Sequence, residues 1–130
     1  MNPTIKELIN KIKNQGGLKE IDLGELIRPE NYAYKISKDL KLTRVQLRKV
    51  YTEFKSIYDI YKKTKGKDEN EIKTRLYKLY PILQYQVNRK LIDNDFKELI
   101  WEILNSLDKN LENFENTMEF IKALVAYSKE

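Results

Sequence analysis

Residues 42–63, LTRVQLRKVYTEFKSIYDIYKK, carry the pattern that decides the fold. Leu47, Val50, Phe54, Ile57 and Tyr61 recur at spacings of three and four. At about 100° per residue they fall on one face roughly 80° wide, which makes the stretch an amphipathic α-helix with that face turned to a core. Thr43 is placed to accept from the early backbone N–H groups as N-cap, and Gln46, three residues on, completes a capping box. On the same wheel Arg44, Arg48, Lys55 and Lys62 lie within about 40° of one another, and Tyr51 and Tyr58 sit between this basic row and the apolar face. A charge run on a helix is usually a solvated face. Here Glu53 and Asp59 are not expected to neutralise the row, and cations edged by tyrosines offer point charges to phosphates and flat rings to bases, which suits an RNA strand.

Working outward, TKGKDEN at 64–70 forms a polar connection with Gly66 as its turn residue, and Asp68 is expected to cap the next helix. Ile72, Leu76, Leu79, Leu83 and Val87 give a helical stripe to about residue 90, which Pro81 must kink near Tyr77–Tyr80 or break in two. Lys78, Tyr85 and Arg89 fall within about 40° of one another on its flank, a second, shorter basic and aromatic row; Tyr85 and Arg89, one turn apart, also suit a simple stack on each other. Asp93 or Asn94 caps a helix that buries Phe96, Leu99, Ile100, Ile103 and Leu107, with Trp101 off the stripe. The last helix, about Leu111 to Ser128, buries Phe114, Met118, Ile121 and Val125. Phe120, Leu124 and Tyr127 widen its apolar surface, as in a helix central to a bundle or shared with a partner.

Toward the N-terminus, Asn2 and Pro3 open a helix patterned by Ile5, Leu8, Ile9 and Ile12, which Gly16 and Gly17 end. Residues 18–28 lack a sustained period and read as an irregular segment with one short turn, packed by Leu23, Leu26 and Ile27. Pro29 is expected to open a second helix that buries Tyr32, Ala33, Ile36 and Leu40 and ends near Lys41. The fold class is therefore all-α, a compact single-domain bundle of five to six helices over residues 1–130, with residues 42–130 as the main bundle and 1–41 less firmly defined by pattern.

Composition narrows the function. The 130 residues contain 25 Lys and Arg, 20 Asp and Glu, and neither His nor Cys. That removes a thiol nucleophile, an imidazole base and a zinc site of the usual kind. No Gly-rich phosphate loop or nucleophile elbow is present, so no catalytic residue, metal or cofactor is expected and the chain reads as a non-enzyme. No apolar run reaches transmembrane length and the N-terminus lacks a signal peptide's apolar region, so a cytoplasmic location without a membrane partner is expected. Charge is asymmetric: seven basic and six acidic side chains in residues 1–40 (+1), fourteen and five in 41–90 (+9), and four and nine in 91–130 (−5). The central block points to a polyanionic partner, while the acidic last third suggests a protein contact at Phe120, Leu124 and Tyr127.

Three blocks, LTRVQLRKVYTEF at 42–54, LYPILQYQVNRK at 79–90 and FIKALVAYSKE at 120–130, together make the chain resemble the small helical subunit of the type III-A CRISPR-Cas effector, the Csm complex. With the helices between them they span about two thirds of the chain. One departure is Ser128, where many relatives are expected to carry histidine. The resemblance implies a non-catalytic part, several copies of which stack into an inner filament alongside the other Csm subunits that form the guide-RNA backbone, and contact the target RNA paired to the guide, with single-stranded RNA (guide or target) as the expected nucleic-acid partner. It implies RNA-binding roles for Arg44, Arg48 and Lys49 in the first block and Arg89 and Lys90 in the second. Lys55, Lys78, Tyr51 and Tyr85 join them from the helical wheel alone, and Lys49, about 100° from Arg48, is placed to serve a neighbouring subunit instead of the same strand.

Two alternatives remain at this level. KISKDLKLTRVQLRKVY at 35–51 has the outline of a helix-turn-helix presenting Arg44, Gln46 and Arg48 to duplex DNA, against which stand a twenty-residue second helix and Lys41 where a glycine would be comfortable. The other alternative is a helical protein adaptor whose basic row only solubilises it.

Overall fold

A computed structural model of the chain describes residues 1–40 and 42–129. Among them the elements are α1 (Pro3–Gln15), α2 (Leu23–Ile27), α3 (Tyr32–Asp39), α4 (Arg44–Thr64), α5 (Glu69–Tyr77), α6 (Leu79–Asn88), α7 (Asn94–Lys109) and α8 (Phe114–Tyr127), with 3-10 turns at Leu18–Glu20 and Leu111–Asn113. The all-α expectation holds. Counting α5 and α6 as one interrupted helix and setting aside the five-residue α2 leaves six helices, as the periodicity predicts.

Local chemistry sets most boundaries. The Asn2 side chain accepts from Ile5 N–H with Pro3 at the first helical position, and Gly16 at φ 89° closes α1. The Thr43–Gln46 capping box opens α4 with both of its bonds made. Asp93 accepts from Asp95 N–H at the start of α7. The predicted break before Pro81 falls at Lys78, and Pro81 sits in the first turn of α6, where a missing N–H costs no intrahelical bond. Two features differ from expectation. Pro29 does not open α3: it lies in the turn before it, with Arg28 held extended at ψ 154° by the proline that follows, and α3 starts only at Tyr32. Asp68 occupies the N-cap position of α5, but its side chain makes no capping bond. The expected helix end near Lys41 lies outside the described residues; α3 ends at Asp39.

The core is continuous from α1 to α8. Of the nineteen residues that the patterns of α4 to α8 place on their apolar stripes, sixteen are buried, while Tyr61, Val87 and Val125 are half-buried at the edge. Leu23 is exposed, because the short α2 turns only Leu26 fully inward. Helix α8 packs against α4 on one side and α3 on the other, and α1 packs along α7. The N-terminal segment, loosely patterned in sequence, is tied in by specific polar groups. Buried Asn113 accepts from Lys19 N–H at 2.9 Å, and its amide N–H groups reach the carbonyls of Gly16, Ser106 and Asn110 at 3.1–3.2 Å. The Asn113 amide crosses so close to Gly17 that a Cβ there would lie 2.3 Å from Oδ1, and Gly17 also sits at φ 130°, so both space and backbone require glycine. Lys97 is a buried cation shared between helices: Nζ lies 2.9 Å from Glu98, donates to Gln84 of α6 at 3.0 Å, and stands 3.9 Å from the Trp101 ring centre. Trp101 is half-buried and donates Nε1–H to the Tyr80 carbonyl.

Two outcomes test this packing by urea unfolding followed by circular dichroism. Phe54→Ala removes a fully buried ring and is expected to cost about 3–5 kcal/mol, whereas a loss under about 1 kcal/mol means that the face is not the core. Asn113→Ala strips partners from the Lys19 N–H and the Gly16 carbonyl and is expected to cost about 1–3 kcal/mol; an unchanged midpoint contradicts the role of this amide as the tie between the two ends of the chain.

Candidate nucleic-acid interface

The basic row of α4 lies where the helix leaves its buried face toward α8. Tyr58 leans its ring on Phe114, with centroids 5.4 Å apart, and donates its O–H to Glu115 at 2.7 Å. Partial burial, followed by that hydrogen bond, pushes the phenol up to about 12, so it stays neutral beside any anion. Tyr51 is likewise half-buried against the core. For Tyr58 the expectation of a ring free for bases is therefore corrected: it seals the edge of the α4–α8 contact, because a residue about 60° from the centre of a helix's buried stripe is reached by its neighbour helix.

The cations beyond them differ from one another. Arg48 is exposed. Arg44 is half-buried, and its backbone N–H donates to the Lys129 carbonyl at 2.8 Å, where residues 42–44 pair with the last turn of chain in an isolated parallel bridge. Lys55 pairs with Asp59 one turn on, which corrects the expectation that Asp59 leaves the row uncompensated; the hydrogen bond to that carboxylate holds the Lys55 ammonium above its ordinary value. Lys62 lies 5.8 Å from the Tyr58 ring centre.

The second row occupies the outer side of α6. Tyr85 is 57% exposed, and Arg89 donates to its Oη at 2.9 Å while its guanidinium lies 5.7 Å from the ring centre. The stack read from their spacing is thus present, with the free face of the ring still open to solvent. Lys78 is exposed at the junction of α5 and α6. Lys90 takes φ 61° just past the end of α6, where the N–H groups of Lys90 and Leu91 reach Val87 and Gln86 in the left-handed closure usually given to glycine.

The two rows do not share one face. Between α4 and α6 runs a groove bounded at one end by Val45, Gln46, Lys49, Gln86, Leu91 and Ile92. It continues over Val50, Phe54, Leu79 and Leu83 to Ser56 and Lys78. Arg44, Arg48 and Lys55 line no part of it; they look out from the opposite flank of α4. The candidate residues therefore fall into four sets: Arg44, Arg48 and Lys55 beside Tyr51; Lys49 and Lys78 at the groove; Lys90 in a separate hollow with Leu42, Val87 and Leu91; Tyr85 and Arg89 on the outer side of α6. The separation of Lys49 from Arg48 was legible on the wheel. What sequence reasoning missed is the apolar content of the groove: Val45 is 70% exposed, Ile82 40% and Leu91 41%. The available signal was that Val45 and Ile82 both fall off the apolar stripes of their helices.

At Phe120 and Leu124 the expected protein contact is not a surface in this chain. Phe120 and Leu124 are fully buried, and Tyr127 is half-buried, donating its O–H to the Ile27 carbonyl at 2.8 Å with Tyr34 edge-on at 5.3 Å. The wide apolar surface of α8 is consumed inside the bundle because α3 and α4 flank it on both sides. Ser128 is also buried and donates its O–H to the Val125 carbonyl at 2.6 Å. The Gln46 side chain serves the α4 cap instead of projecting toward a groove of duplex DNA. Among the described residues no carboxylates gather in a group able to hold a metal ion, and no helix is long and apolar enough to cross a membrane.

No curated protein and no solved structure matches the chain significantly. A family model does: Csm2 of type III-A, over residues 25–130, a range that takes in α3 to α8, both basic rows and the groove. With only its first 24 residues outside that match, the chain belongs to the type III-A Csm2 family, a structural small subunit of the Csm complex whose partners are the other Csm subunits.

Proposed function

We propose that this subunit works in the cytoplasm as a non-catalytic element of the Csm complex that contacts RNA through its backbone and does not read its sequence. The observation that carries the reading is the outward flank of α4, where Arg48 stands exposed among Arg44, Lys55 and Lys62 on a helix whose opposite face is committed to the core. Spacings of four and seven residues put these cations along about 27 Å of helix at 1.5 Å per residue, long enough to follow several phosphates of one strand. The Lys55–Asp59 pair is exposed, and a phosphate oxygen displaces such a carboxylate at little cost because the pair is already screened by water.

Indifference to sequence follows from the same side chains. Lysine and arginine ends meet phosphates as charges, Tyr51 and Tyr58 are held against the core, and Gln46, the amide nearest the row, is tied to Thr43. Tyr85 with Arg89, lying on another helix and open on one ring face, supports a second, weaker contact by stacking. The +9 charge of residues 41–90 supports a polyanion as partner, and the same charge favours rapid, salt-sensitive association.

The test is a salt titration of a fluorescent single-stranded RNA. Four phosphate contacts predict a slope of log affinity against log salt of roughly −3, and Arg48→Ala with Lys62→Ala is expected to make it shallower by about 1.4 and to weaken homopolymeric and mixed sequences alike. Both side chains are exposed, so circular dichroism of the double variant is expected to match the parent. An unchanged slope in the folded variant would reduce the row to a solvated helix face. Tyr85→Ala is expected to weaken binding by less than about tenfold and to leave the salt slope unaltered, since stacking neutralises no phosphate.

A further inference from the structure

We propose that the α4–α6 groove is a docking site for an acidic amphipathic helix, about three turns long, carried by a protein other than this chain. The inference concerns a protein partner and does not depend on the RNA contact at Arg48, which lies on the opposite flank of α4.

The groove has the size and surface of a helix receptor. Its α4 wall runs from Val45 to Ser56, about 16 Å at 1.5 Å per residue or three helical turns, and its α6 wall from Leu79 to Gln86, about two turns. Its floor is apolar, made by Val50, Phe54, Leu79 and Leu83, and Val45, Ile82 and Leu91 stand exposed along its rim. The exposed rim residues are aliphatic, with no flat face for a base and no donor for a phosphate, so they gain from burial against a protein's apolar stripe and offer nothing to RNA. An exposed valine or isoleucine alone needs no explanation, but three gathered along one groove mark a contact.

Charge selects the partner. Lys49 and Lys78 border the groove at its two ends, and among the described residues neither ammonium group has a hydrogen bond or ion pair. Of the carboxylates nearby, Glu71 is paired with Arg75 and Asp93 accepts from the α7 N-terminus, leaving Glu53 as the single uncommitted one. A helix with acidic residues flanking an apolar stripe satisfies both the rim and the floor. A second copy of this chain cannot supply it. The acidic helices α7 and α8 turn their large hydrophobes inward, and among the described residues no large hydrophobe on either of them is exposed.

The experiment is site-specific photo-cross-linking in the assembled Csm complex, with p-benzoylphenylalanine in place of Ile82 and the cross-linked peptide identified by mass spectrometry. The expected product joins position 82 to one segment of a different protein, rich in Asp and Glu around an apolar i, i+3, i+4 pattern. Its yield is expected to fall about tenfold with Val45→Asp, and about as far with Lys49→Glu combined with Lys78→Glu. Circular dichroism and RNA affinity of the isolated Val45→Asp chain, whose substitution is on the exposed rim, are expected to be unchanged. Cross-linking to RNA, to another copy of this chain, or to a neutral or basic segment overturns the proposal, as does a product indifferent to charge reversal or none above the unirradiated background.

Discussion

The burial of α8 between α3 and α4 is the constraint on which the rest of the molecule depends. Phe114, Phe120, Ile121 and Leu124 point in different directions around that helix and are all fully buried, so the helix must have neighbours on more than one side. That requirement places α4 with its apolar stripe against α8, brings Tyr58 onto Phe114, and leaves the arc beyond Tyr58 as the only place for Arg44, Arg48, Lys55 and Lys62. It also carries the last residues of the chain back to the start of α4, where Lys129 pairs with residues 42 and 44 through backbone groups. The basic flank is positioned by hydrophobic packing on the far side of its own helix.

Polar groups then decide what packing alone leaves open. A helix such as α1 could slide along α7, since apolar contact is nondirectional. Asn113 removes that freedom, binding the Gly16 carbonyl and the Lys19 N–H in a space that only a glycine at position 17 leaves open. Lys97 does the same for α6 against α7, its charge held by Glu98, Gln84 and the face of Trp101. A buried lysine is costly unless its ammonium is satisfied, and three partners from two helices satisfy it only in this arrangement. The register of α6, and with it the shape of the groove facing α4, follows from this contact.

The surface is correspondingly divided in function. Cations on one flank of α4 suit a polyanion, while on the other flank aliphatic side chains and unpaired lysines suit a protein. Both flanks belong to one helix, so the two kinds of surface lie about one helix diameter apart on a structural subunit of the Csm complex.

Sequence by itself determined the long helices, the caps at Asn2, Thr43 and Asp93, and the inward faces of α4 to α7. The reason is local: Thr43 with Gln46, Asn2 with Pro3, and the three-and-four spacing of Leu47 to Tyr61 act within a few residues, and their physics does not depend on what lies opposite. Sequence also determined the family, the charge asymmetry, and the separation of Lys49 from Arg48, which is an angle on one helix. Only the tertiary structure decided what each face meets. Phe120 and Leu124 read equally well as surplus surface or as a two-sided core until α3 and α4 closed over them. Tyr58 read as a free ring until Phe114 and Glu115 reached it. Val45, Ile82 and Leu91 belong to different helices and a loop, so no periodicity within one element could assemble them into a groove. Burial and juxtaposition are properties of pairs of elements far apart in the chain, and a helical wheel carries information about one element only.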